Sequence, residues 1–194
     1  MDKIVTYSTS TTQWQTLVTE ASQACSITLS EDLESYLVFL LMRFTDSPQI
    51  AQNVMALEFF HSTNKYGVQR SQALRDVGDQ CLLYSGLFPG RARHRRVRVS
   101  YYVNIGKSAY LLLSNRQRAT GPDLFATLSK NFVLLMDILQ SMREMDNKVI
   151  LLDPIQAEEL WRDTGSNHAL QNLQQVTTRI ATPINSLQIP PQKH

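Results

Sequence analysis

The apolar residues Leu124, Leu128, Phe132, Leu135, Leu139 and Met142 recur at steps of three and four. That spacing puts all six on one side of an α-helix and is incompatible with the two-residue period of a strand. A second stripe, Leu33, Tyr36, Leu37, Leu40, Leu41 and Phe44, follows Ser30, Glu31 and Asp32, an N-cap with carboxylates suited to the positive end of a helix. Two helices with such wide apolar faces must bury them against other helices. The expected fold is therefore all-α: an irregular single-domain bundle of seven or eight helices, built around residues 31–45 and 123–145.

The remaining segments fill in that frame. Trp14, Leu17, Val18, Ala21 and Cys25 define a first helix over residues 12–25. Ser47 and Pro48 open a third, carrying Ile50, Val54, Leu57 and Phe60, and a fourth spans residues 65–84. Gly86, Pro89 and Gly90 then interrupt the helical pattern. Residues 97–112 fit either a helix face through Val97, Tyr101, Ile105, Ala109 and Leu112 or, at their start, a strand alternation of Val97, Val99, Tyr101 and Val103. Helix is preferred, because the apolar face runs four turns and a lone strand has no partner nearby. Residues 149–152 read as an extended connector, and Asp153 and Pro154 start a helix ending near Asp163. A peripheral Gln-rich helix follows from Asn167 to Ile180, with Leu170, Leu173, Val176 and Ile180 to bury. The domain is expected to cover residues 1–182 and a loose tail residues 183–194.

With 43% hydrophobic and 19% charged residues, neither a coiled coil nor a disordered acidic segment is expected. Cys25 and Cys81 are too few and too far apart for a disulfide scaffold, and the first residues lack a secretory signal's apolar core. The longest uninterrupted apolar run, residues 36–42, is far short of the roughly 20 residues of a membrane span. A cytoplasmic protein without membrane insertion is expected. Whether the wide stripes face the chain's own core or a second copy is open, so a homo-oligomer is possible.

The net charge of +2 conceals an asymmetry. Arg91, Arg93, Arg95, Arg96 and Arg98 crowd into eight residues, and without them 14 basic residues face 17 acidic ones, a net charge of −3. Guanidinium groups stay charged and pair bidentately with carboxylate or phosphate. If the segment is helical, Arg91, Arg95, Arg98 and Tyr102 share one side. The candidate partner-binding residues are the five arginines together with Tyr101 and Tyr102, which would serve as aromatic anchors or stack on unpaired bases. The competing reading is internal pairing with Glu31, Asp32 and Glu34, or with Asp76 and Asp79. Too few apolar residues accompany the arginines for membrane insertion.

Other motifs fall short of chemistry. Glu58 and His61 have the ExxH spacing of dinuclear metal bundles, but a second copy is missing, since Arg91 and Gly165 stand three before His94 and His168. Cys25 and Cys81 fall on apolar faces, as structural cysteines do. Gly106, Lys107 and Ser108 end like a phosphate loop, yet Tyr101 occupies the place of its first glycine. No catalytic residue, metal site or cofactor is expected.

The block from Leu87 to Tyr110, with its Leu-Phe-Pro, arginine-rich and Ser-Tyr-Tyr elements, resembles a stretch shared by a group of small uncharacterised bacterial proteins. It covers about one eighth of the chain. The resemblance implies a bacterial cytosolic setting and brings no activity, cofactor or partner with it. The expected function is non-enzymatic: a protein-interaction or regulatory adaptor module using its arginine-rich surface for an acidic protein partner. The alternative is a nucleic-acid-binding accessory protein using the same arginines and tyrosines.

Overall fold

The computed structural model describes residues 10–46, 59, 66–90, 92, 96–114, 123–147 and 151–181. It is an all-α bundle. Among the described residues there are eight helices and no strand: α1 (Ser10–Ala24), α2 (Glu31–Asp46), α3 (Gly67–Leu87), α4 (Val99–Ser114), α5 (Leu124–Lys130), α6 (Phe132–Asn147), α7 (Pro154–Thr164) and α8 (Asn167–Ala181). The helix expected over residues 47–60 lies outside the described residues except for Phe59, which is helical and packs partly buried on the core. The expected tail, residues 183–194, lies outside them as well. Every one of the eight helices contributes to one apolar cluster, so the stripes of α2 and α6 are covered within the chain itself.

The centre of the bundle is α3, not the pair of stripes that the sequence singles out. Its second half, residues 77–87, is buried on all sides, polar Asp79, Gln80 and Ser85 included. A helix enclosed all round has no apolar stripe to detect, because no side faces water. Two glycines let the neighbours close in. A Cβ on Gly78 would collide with the Tyr110 ring of α4, and one on Gly106 of α4 with the Phe132 ring and Cys81. Small residues at these crossings allow α3, α4 and α6 to approach more closely than ordinary side chains permit.

Two expected boundaries are corrected. Helix α3 does not stop before Gly86 but continues to Leu87, with Gly86 closely covered by Leu139. It ends at Phe88, whose φ of −131° is non-helical, as the residue before Pro89 prefers. The single helix expected over residues 123–145 is divided at Asn131, whose side-chain Nδ2 donates to the Thr127 carbonyl at 2.9 Å beside its own backbone N–H at 3.0 Å. Local side-chain bonding of this kind competes with the helical ladder. The stripe survives the break, with Leu128, Phe132, Leu135 and Leu139 all fully buried.

The caps follow sequence chemistry closely. Asp123 accepts from the amides of Phe125 and Ala126 at the start of α5. Asp153 and Gln156 form a reciprocal capping box on α7 around Pro154, and Gly165 ends that helix in the left-handed region at φ 73°. Of the expected connector over residues 149–152, Leu151 and Leu152 are described and form a bend rather than an extended run.

Candidate partner-binding face

The arginine-rich segment begins after Pro89, with Gly90 and Ala92 helical. The Val97 amide donates to the Ala92 carbonyl at 3.1 Å, and Arg96 takes φ 55°. A six-to-one bond closed over a left-handed residue is the signature of a helix-ending Schellman turn, where glycine is the usual occupant. Here an arginine occupies it, with its side chain exposed. Val97 and Arg98 are then non-helical until α4 starts at Val99. Helix is therefore correct from residue 99 onward, but a single helical side running from Arg91 through Tyr102 is not formed. Arg91, Arg93 and Arg95 lie outside the described residues.

Arg98 is engaged within the chain. Its guanidinium lies 3.4 Å from Glu159 and 3.3 Å from Asp163, both on α7. Ser100 donates its hydroxyl to Asp163 at 2.7 Å. The Ser100 hydroxyl first, and then Arg98, hold the Asp163 carboxyl below its usual range. Internal pairing thus occurs for Arg98, on α7 and not on Glu31, Asp32, Glu34, Asp76 or Asp79. Tyr102 also departs from the expected surface role. It is 3% exposed and stacked on Tyr84 at a ring separation of 5.4 Å. Helical rotation by one residue leaves Tyr101 at 37% exposure, edge-on to Tyr102.

These placements leave a surface cleft of about 300 Å³ between Arg96, Val97 and Arg98 on one side and the first turns of α7 on the other. Asp153 and Glu159 line it with Ile155, which is 71% exposed. No carboxylate among the described residues pairs with Arg96. The cleft can therefore present a cation next to an apolar contact, while Arg98 fixes the neighbouring helix.

Sequence reading missed two polar clusters. In the first, Asp79 has no solvent exposure and accepts from the hydroxyls of Tyr36 at 2.5 Å and Tyr110 at 2.7 Å, with the Arg43 guanidinium against its other oxygen and Arg75 at 3.7 Å. Burial, and then the neighbouring Asp79 charge, push both tyrosine hydroxyls well above their usual range.

The second joins α6 to α8. Asp137 accepts from the Ser166 hydroxyl at 2.6 Å and the His168 amide at 3.3 Å, and burial raises its carboxyl despite these donors. His168 Nε2 meets Glu144 at 2.9 Å, and Glu144 also accepts from the Leu151 amide and the Asn172 side chain. Burial opposes protonation of His168, but the Cys25 thiol and the Glu144 carboxylate outweigh it and raise the imidazole to about 9. One signal for this cluster stood in the sequence: Asp137 is a lone charge inside the apolar run from Phe132 to Leu139. Cys81 is fully buried, and Cys25, half-buried, donates to the Asp137 carbonyl at 3.7 Å.

Among the described residues no group of three or more His, Cys, Asp or Glu is arranged to hold a metal ion, and no helix is long and apolar enough to cross a membrane. Glu58 and His61 lie outside those residues. No protein-family model, curated protein or solved structure matches the chain.

Proposed function

We propose that the protein is a non-enzymatic, cytoplasmic interaction or adaptor module that engages an acidic protein surface through the face around Arg96. The observation that carries this reading is an exposed arginine held in the left-handed position of a helix-ending turn. A bulky residue there costs backbone strain that glycine would avoid. Arg96 lines the same cleft as exposed Ile155, and a cation flanking an apolar contact is a common anchor at protein interfaces. Arg98 acts as a support in this reading, since its charge is shared with Glu159 and Asp163.

Affinity capture from the native cytosol, with and without nuclease, tests the reading by comparing the wild type with Arg96→Glu and with an Arg91→Ala/Arg95→Ala/Arg98→Ala triple variant. Protein capture that survives nuclease and falls at least tenfold with Arg96→Glu, at unchanged helical content, is the expected result. Capture insensitive to both variants refutes the reading. Capture abolished by nuclease transfers the face to nucleic acid, for which Tyr101 remains available and Tyr102 does not.

A further inference from the structure

One side of α2 faces water. Glu31, Ser35 and Phe39 fall on it at steps of four, with Asp32 alongside, and all four are exposed. Phe39 is 61% exposed, an aromatic ring on the same side as two carboxylates. Next to it, Gln15 of α1 and Glu34, Ser35, Val38 and Phe39 of α2 line a hollow of about 110 Å³. Small-molecule sites typically enclose about 300–1,000 Å³, so this hollow suits a single side chain protruding from another protein surface. Glu34 engages Gln15 and Thr19 through Oε1, which leaves Oε2 for a further donor. Among the described residues no cation pairs with Glu31, Asp32 or Glu34.

These features are the converse of those around Arg96. There a cation shares a cleft with exposed Ile155; here carboxylates share a helix side with exposed Phe39. Arginine also packs favourably over an aromatic ring. Within one chain the two faces are not joined, since Arg98 pairs with α7 and Arg96 with no carboxylate among the described residues. Between two chains the charges favour contact. Five arginines within residues 91–98 leave the rest of the chain at −3, so each copy carries a concentrated cation and a net acidic remainder. The whole chain's +2 opposes association only weakly. The cleft and the hollow share no lining residue, so one copy can give and receive the contact at once.

We propose that the acidic partner of the Arg96 face is a second copy of this chain. Arg96 of one copy enters the α1–α2 hollow of the other, over Phe39 and against Glu34, and Glu31 and Asp32 add to the attraction. This pairing rests on the reading that Arg96 engages an acidic protein surface. Its test uses the purified chain alone, so a monomer overturns the pairing while capture from the cytosol still decides the reading.

Sedimentation velocity of the full chain at low salt is expected to show concentration-dependent self-association that weakens as salt is raised. Arg96→Glu and the pair Glu31→Lys/Asp32→Lys should each weaken it at least tenfold. An equimolar mixture of these two variants should restore it as a hetero-complex, because the intact acidic face of one meets the intact arginine face of the other. Phe39→Ala, which leaves every charge in place, should weaken association about threefold or more at unchanged helical content. A monomer at every concentration, association indifferent to the charge variants or to Phe39→Ala, or a mixture that stays monomeric overturns the proposal.

Discussion

Asp79 and Asp163 both accept from arginine, yet one is sealed in the core and the other sits on the surface. Asp79 has no exposure and gathers the Tyr36 hydroxyl and Arg43 from α2 and the Tyr110 hydroxyl from α4, whereas the Asp163 and Arg98 side chains are 24% and 57% exposed. Removing a carboxylate from water is costly, and the offset comes only from donors placed around it, so breaking such a set strands every member. In water the same pair gains little, because solvent already stabilises each charge. The first cluster therefore fastens α2, α3 and α4 together, while the second orients α7 on α4.

The contrast is most easily broken at its buried end. Asp79→Ala should cost about 3–5 kcal/mol in urea denaturation, since two hydroxyls and a guanidinium lose their acceptor; a cost below about 1 kcal/mol would equate the two sites. The α6–α8 cluster lies between the extremes and responds to pH. His168 is raised from 6.5 to about 9 in the folded protein, so its contribution is fully present below pH 6.5 and is lost as pH rises through 9. That shift corresponds to about 3 kcal/mol of stability, and His168→Gln should flatten the decline measured by urea unfolding between pH 6.5 and 9.5. A double-mutant cycle on Arg98 and Asp163 should return a coupling below about 1 kcal/mol, and the same cycle on Arg43 and Asp79 a clearly larger one. The smallest effect has the opposite sign. Arg96→Gly should raise stability by up to about 1 kcal/mol by relieving the left-handed backbone, whereas Arg96→Ala should not; equal effects would place the change in the side chain and not in the backbone.

What sequence could reveal depended on which side of a helix meets water. Helices α1, α2, α7 and α8 carry a wet and a dry side or a clear cap, and their ends fall within a few residues of expectation. Helix α3 hides its role for the reason that makes it central: residues 77–87 are enclosed, and the polar Asp79, Gln80 and Ser85 among them interrupt any apolar stripe that would mark it. Charge clustering located the arginine segment but carried no information on pairing, which depends on α7 returning to α4 some 65 residues later. Tyr102 failed as a surface anchor because adjacent aromatics on a helix point about 100° apart, and a sequence does not say which of the two looks inward. The clusters at Asp79 and at Glu144 and His168 join residues distant in sequence, and no local spacing announces them.

The contact between α1 and α6 has a consequence for biosynthesis. Cys25 reaches the Asp137 carbonyl across 112 positions, and Val18 and Ala21 are fully buried in the finished core. At about 5–20 residues per second, α1 leaves the ribosome several seconds or more before α6 exists to receive it. Among the described helices made in that interval, α2 is the one packed on α1, and it is itself still waiting for α3 and α5. A helical protein assembled from neighbours alone would fold as it emerged; this one has to keep α1 and α2 in reserve until α6 arrives.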